Sequence, residues 1–154
     1  MIVQIDSREP ESARKRICKQ LDKLGVKWFV SKLYCGDYCN PVSPTVLIER
    51  KKSIGELAQN VTVQYARFKA ELDRAKSLGA KLHIVVEEKC INRAPITELS
   101  DLINWHSPYT QVSGERVFRL LCGLQRKYAI SISFCAKSET GAKIIELIEL
   151  GGKK

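Results

Sequence analysis

The sequence predicts an α/β protein, a mixed β-sheet flanked by helices on both faces, and two patterns carry that expectation. Short apolar runs rich in Val and Ile alternate with longer segments whose apolar residues recur at helical spacing. Turn-forming Gly, Pro, Asn and Ser separate them, with no repeat, linker or low-complexity tract between. At 154 residues the chain suits a single domain, 1–154, able to bury a core without disulfides or a structural metal.

The first strand is expected at about 2–6, where Ile2, Val3 and Ile5 precede Ser7 and Pro10. A helix follows over 11–24, with Ile17, Leu21 and Leu24 on one stripe and Gly25 as its stop. Residues 26–34 read as a strand, Asn40-Pro41-Val42-Ser43-Pro44 as a turn, and 46–51 as the next strand. Ser53 is a good N-cap for a helix starting at Ile54, and Glu56 completes a capping box. After a break near Asn60 the helix resumes on Tyr65, Phe68, Leu72 and Ala75, and Gly79 ends it. A strand at 82–87, a short helix at 96–103, a helix at 115–128, a strand at 130–135 and a helix at 140–150 complete the chain.

Composition narrows the function. The 26 basic against 17 acidic residues leave a formal charge of +9, which favours a polyanionic partner, DNA or RNA first. No run of eighteen apolar residues suggests a membrane span, and residues 1–6 do not look like a signal peptide, so a cytoplasmic address is expected. The six cysteines lack both the spacing of a zinc site and the setting of a disulfide framework, and read as free thiols. Nothing in the sequence calls for an organic cofactor.

The stretch that carries chemistry is Gly36-Asp37-Tyr38 followed by Val46-Leu47-Ile48-Glu49-Arg50-Lys51. Strand alternation puts Leu47, Glu49 and Lys51 on one face and Val46, Ile48 and Arg50 on the other. A hairpin folded about Ser43 would set Asp37 opposite Glu49, with Cβ atoms about 4.5–5.5 Å apart, close enough for two carboxylates to share a divalent ion. Hard oxygen ligands of this kind suit Mg²⁺ or Mn²⁺, with the main-chain carbonyl of Arg50 as a further candidate ligand. Lys51 could orient a water or stabilise charge on a phosphate. Spacing alone favours an ordinary same-face ion pair of Glu49 and Lys51, and the hairpin placement of Asp37 brings the two readings level.

Gly36-Asp37 and then Glu49-Arg50-Lys51, after the opening Ile5-Asp6-Ser7-Arg8-Glu9, resemble the motifs of XPF-type nucleases. The similarity runs on through Ser53–Ala58, Arg67-Phe68 and the strand at 82–87, and is strongest to the compact versions found in phages and bacteria. It implies a restriction-endonuclease-like core and a Mg²⁺- or Mn²⁺-dependent endodeoxyribonuclease acting on branched or junction DNA in repair, recombination or phage DNA processing. It makes Asp37 and Glu49 metal ligands and Lys51 the catalytic lysine, adds Asp6 as a nearby catalytic acid, and points to Arg8 and Arg50 as DNA contacts. Two departures stand out: Gly55 lies where the family usually has an acid, with Glu56 next to it, and the stretch after Cys135 is too short for the helix-hairpin-helix module of larger members.

Lys52 and Arg67 join the expected DNA-binding face, although the Arg67, Glu71 and Arg74 side of its helix also reads as plainly solvated. Trp105, His106 and Tyr109 could stack on bases or simply anchor a loop. Val117, Phe118, Leu120, Leu121 and Leu124 suit either a sandwiched core helix or half of an interface, and a homodimer is expected. The competing reading is a catalytically silent DNA-binding or dimerisation module on the same fold.

Overall fold

The computed structural model describes residues 1–153. The first half of the chain forms β1 (Ile2–Ile5), α1 (Glu11–Lys23), β2 (Lys27–Val30), β3 (Tyr38–Cys39), β4 (Val46–Lys51) and α2 (Ile54–Val61). The second half forms α3 (Tyr65–Ser77), β5 (Lys81–Val86), β6 (Cys90–Ile91), β7 (Ala94–Pro95), α4 (Gly114–Lys127), β8 (Ile130–Phe134) and α5 (Thr140–Gly152). Short 3₁₀ segments lie at Leu99–Asn104 and Lys137–Glu139.

Six strands make one mixed sheet in the order β2-β1-β3-β4-β5-β8. β3 runs antiparallel to both of its neighbours, while β1 and β2 are parallel, as are β4, β5 and β8. Alternation along the strands divides the interior in two. On one face Leu47, Leu82, Ile84 and Val86 pack under α2, α3 and α4, through Leu57, Phe68, Leu72, Val117 and Leu121. On the other, Val46, Ile48 and Val85 pack under α1 and α5, through Ile17, Leu21, Ile144 and Ile148. The sheet is thus covered on both faces, as the alternating pattern of the sequence implies.

Most elements lie within a residue or two of their expected positions, and β4 begins and ends as expected. β2 is the main difference: it stops at Val30 instead of continuing to residue 34. It is an edge strand whose only partner, β1, ends at Ile5, so beyond Ser31 the backbone has no strand to pair with. Those groups are instead met by side chains, with the Leu33 N–H donated to Asp6 and the Leu33 carbonyl accepting from Arg8. The helix expected at 96–103 is a 3₁₀ segment at Leu99–Asn104 with reciprocal capping by Glu98 and Asp101. The small β6–β7 hairpin was not expected, since its turn residues Asn92 and Arg93 take left-handed conformations without a glycine to announce them.

Most of the apolar residues of α4, which suited either a core helix or an interface, are taken up by the core. Val117, Leu121 and Leu124 are buried and Phe118 packs against the same cluster, leaving Leu120 as the apolar side chain most open to solvent. Trp105 is likewise a core residue, whereas Tyr109 is 93% exposed. No helix is long and apolar enough to cross a membrane among the described residues.

Candidate active site

The site lies at the C-terminal end of β4, where the parallel half of the sheet meets α2. The β3–β4 register pairs Tyr38 with Ile48 and Cys39 with Leu47. One step further, Asp37 stands opposite Glu49, the arrangement that a turn about Ser43 requires. Two backbone-directed bonds hold it there: the Asp37 N–H donates to the Ile48 carbonyl at 2.7 Å, and the Arg50 N–H donates to Asp37 Oδ2 at 2.8 Å. Gly36 makes this approach possible. Its φ of +75° is left-handed, and a Cβ there would come within 3.2 Å of the Ile48 carbonyl oxygen.

Lys51 leaves β4 on the same face as Glu49 and donates to Glu49 Oε1 at 2.8 Å. Its side chain is only 7% exposed, and the ammonium lies 5.4 Å from the centre of the Phe68 ring of α3. This is not the solvated ion pair that the spacing alone would allow. Burial raises the pKa of Glu49, although Lys51 counteracts it. Burial also holds the Asp37 carboxyl well above its usual range, and the charges of Glu49 and Glu9 add to the effect. Two opposed carboxylates that resist ionising together are what a divalent cation would relieve.

Donor chemistry fits a hard cation better than a thiophilic one. No group of three or more His, Cys, Asp or Glu converges among the described residues, so protein side chains alone would not close a coordination sphere. Asp37 Oδ1 and Glu49 Oε2 have no hydrogen-bond donor among the described residues and are free to ligate. The backbone polar groups of Arg50 lie on the same edge of β4 as those of Ile48, which accepts from Asp37, so its carbonyl is directed toward the aspartate. A site with few protein oxygens that leaves room for waters is the habit of Mg²⁺ and Mn²⁺.

The Arg50 side chain is not where a DNA contact would be. It projects from the opposite face of β4 and is 8% exposed, donating to Glu9 Oε1 through Nε and Nη2 and to Glu87 Oε2 through Nη1. Glu87 also takes Arg16 from α1 and Thr140 from α5. The Arg50 side chain therefore ties β4 into the core, and what Arg50 offers the site is backbone. Asp6 lines the same cavity, but its oxygens are taken by the Leu33 N–H at 2.9 Å and the Arg8 Nε at 2.8 Å. Its backbone N–H also holds the Asp37 carbonyl at 2.8 Å, so it braces the turn before Asp37.

Around these residues opens a cavity of about 460 Å³, walled by Asp37, Glu49 and Lys51 and rimmed by Arg8, Arg67 and Arg74. Arg8 is 59% exposed, and Arg67 is exposed with no carboxylate partner among the described residues. Lys52 is exposed but outside this cavity, and its N–H is held by Glu56 Oε2 at 2.7 Å. Glu56 lines the cavity from the first turn of α2, whose N-cap Ser53 accepts from the Glu56 N–H. Sequence reasoning missed Glu71, Arg74 and Asn60 as cavity residues. A signal existed for two of them: Arg67, Glu71 and Arg74 recur at helical spacing on one face of α3, and that face turns out to look into the site.

Comparisons with known proteins identify the family and the fold. The family model of the ERCC4 domain matches residues 5–148. Among solved structures, XPF from Aeropyrum pernix is similar with a TM-score of 0.72 at 21% identity, over 100% of this chain and 66% of that one. The same protein in complex with DNA gives a TM-score of 0.68 at 23% identity, over 99% of this chain and 65% of that one. This chain thus spans about two thirds of the archaeal chain it resembles. A search of curated protein sequences finds no significant match. With the matched region running from the end of β1 into α5, the chain belongs to the ERCC4 family of XPF-type nuclease domains.

Proposed function

We propose that this protein is a Mg²⁺- or Mn²⁺-dependent endonuclease that hydrolyses phosphodiester bonds in branched or junction DNA. The observation that carries the reading is the opposition of Asp37 and Glu49, with the buried ammonium of Lys51 beside them, inside an arginine-rimmed cavity. Asp37, Glu49 and the Arg50 carbonyl would hold the ion, which when bound supplies Lewis acidity toward the phosphodiester. Lys51 then donates toward the attacking water or the charge growing on the phosphate, and its pairing with Glu49 keeps it oriented at no cost during the reaction. Arg8 and Arg67 grip backbone phosphates, and Lys52 extends that face. The archaeal relative's complex with DNA supports a DNA partner.

The decisive assay offers the purified protein labelled flap, fork, duplex and single-stranded DNA with Mn²⁺, Mg²⁺ or chelator. Metal-dependent cutting that is strongest on the branched substrates is expected, and abolished by Asp37→Asn or Glu49→Gln while DNA affinity is kept. A wild-type protein that binds DNA yet never cuts under these conditions would support the silent module instead.

A homodimer also belongs to this reading. Its support is a groove between α2, α3 and α4 where Tyr65 and Leu120 are 37% and 36% exposed among Arg116, Arg119 and Lys127. Light scattering of the wild type and Leu120→Glu tests it. A wild type that is monomeric with and without DNA removes the dimer and leaves the nuclease reading standing.

A further inference from the structure

We propose that Glu71 on α3 is a positioning residue for Asp37: its carboxylate holds the Gly36 amide and so fixes the turn that aims the aspartate at Glu49. The inference rests on Asp37 acting in catalysis. β3 is only two residues long, and the backbone bonds of Asp37 to Ile48 and Asp6 are the last that tie this segment to its neighbouring strands, so the turn that leads into the aspartate must be held from elsewhere. Immediately before it, Gly36 donates its N–H to Glu71 Oε1 at 2.7 Å. The Cys35 thiol donates to the Glu71 main-chain carbonyl at 3.5 Å, so the same residue of α3 holds two successive positions of the approach.

The second oxygen of Glu71 accepts from Arg74, one turn further along α3. With both oxygens engaged, Glu71 is a brace and not a third ligand. Burial alone would raise its pKa, but the Gly36 amide and Arg74 together hold it below the usual carboxylate range. Both partners of Glu71 thus favour its charged form, the stronger acceptor for the Gly36 N–H. Gly36 adds a reason for such a brace. A left-handed glycine has many competing conformations in a free turn, and a hydrogen bond from its N–H to a fixed helix removes most of them. The brace also joins the wall that carries Arg74 to the turn that carries Asp37, so α3 and the catalytic carboxylate keep one relative position.

Two variants separate this role from a role of the charge itself. Glu71→Gln keeps the reach and the acceptor for the Gly36 N–H but loses the charge. Glu71→Asp keeps the charge but shortens the reach by one methylene. Each is measured in the full chain for kcat and KM on fork DNA with Mn²⁺, and for hydrogen exchange of the Gly36 amide without metal. Glu71→Gln should keep the amide protected and kcat within about fivefold of wild type. Glu71→Asp should expose the amide and lower kcat by about thirtyfold or more with KM little changed, as expected when a reacting group is misplaced by about 1 Å. The reverse order, or full Gly36 protection in both variants, overturns the proposal. Asp37→Asn is run in parallel: if it cuts at the wild-type rate the catalytic reading has failed, while Gly36 exchange still reports whether Glu71 holds the turn.

Discussion

Arg50→Ala should cost this protein stability and leave the electrostatics of DNA binding unchanged. The guanidinium makes two bonds to Glu9 and one to Glu87, at 2.6–3.0 Å. The carboxylates it pairs with are 2% and 1% exposed, so removing it strands the buried charge of Glu9 and takes one of the partners of Glu87. Breaking a buried pair by deleting one partner costs about 3–5 kcal/mol, largely from the charge left behind. Arg16 still reaches Glu87, which favours the lower half of that range, whereas Glu9 Oε2 already lacks a hydrogen-bond partner and loses its remaining one at Oε1. At this chain length a kcal/mol moves Tm by about 2–4 °C, so a fall of about 6–20 °C is expected. Arg50→Lys should fall between wild type and Ala, because a single ammonium cannot span both acids. Thermal and urea unfolding measure this, alongside DNA affinity titrated against salt. A phosphate contact would flatten the log–log salt slope by about 0.9 on removal, and a buried brace would not. A variant that loses less than about 1 kcal/mol while its salt slope falls by one ion would refute the assignment of Arg50 to the core.

Three further outcomes follow from the same geometry. Lys51→Ala should lower kcat by about a hundredfold or more, as for loss of a transition-state donor, while calorimetry shows Mn²⁺ still bound. Because folded-state burial raises the pKa values of Asp37 and Glu49, with the charge of Glu49 adding to the effect at Asp37, the metal-free fold binds protons that the unfolded chain has already released. Its Tm should therefore decline as pH rises from the ordinary carboxylate range through the raised folded values. Mn²⁺ should flatten that decline, and Asp37→Asn should shrink it; a metal-free Tm that rises over this interval would contradict the shifts. Gly36→Ala should lose about 1–2 kcal/mol for the left-handed backbone, plus the crowding at the Ile48 carbonyl, and its kcat should fall with it.

How much of this could be read beforehand depended on whether the signal was local. β4 was legible because an apolar run of strand formers ends in Glu49-Arg50-Lys51, and alternation alone assigns each side chain to a face. The pairing of Asp37 with Glu49 was legible because register in a hairpin follows from the position of its turn. The α2 start was written in Ser53 and Glu56, although Glu56 caps the Lys52 N–H and not that of Ser53 itself. Alternation also said that Arg50 points away from Glu49. It could not say that Glu9, from the loop after β1, and Glu87, from the end of β5, would be waiting there.

The sequence by itself determined the α/β class, the strand that presents the acid and the lysine, and the basic excess that suits DNA. These are properties of periodicity and charge that survive any arrangement of the elements. Only the tertiary structure decided which acids are free and which are spent. Asp6, Glu9, Glu56, Glu71 and Glu87 are all carboxylates to the sequence, yet each is committed to a partner brought from another part of the chain or to a helix cap. Asp37 and Glu49 alone combine direct opposition with an uncommitted oxygen each. Whether a buried carboxylate is left short of donors is set by neighbours distant in sequence, and periodicity carries no record of them.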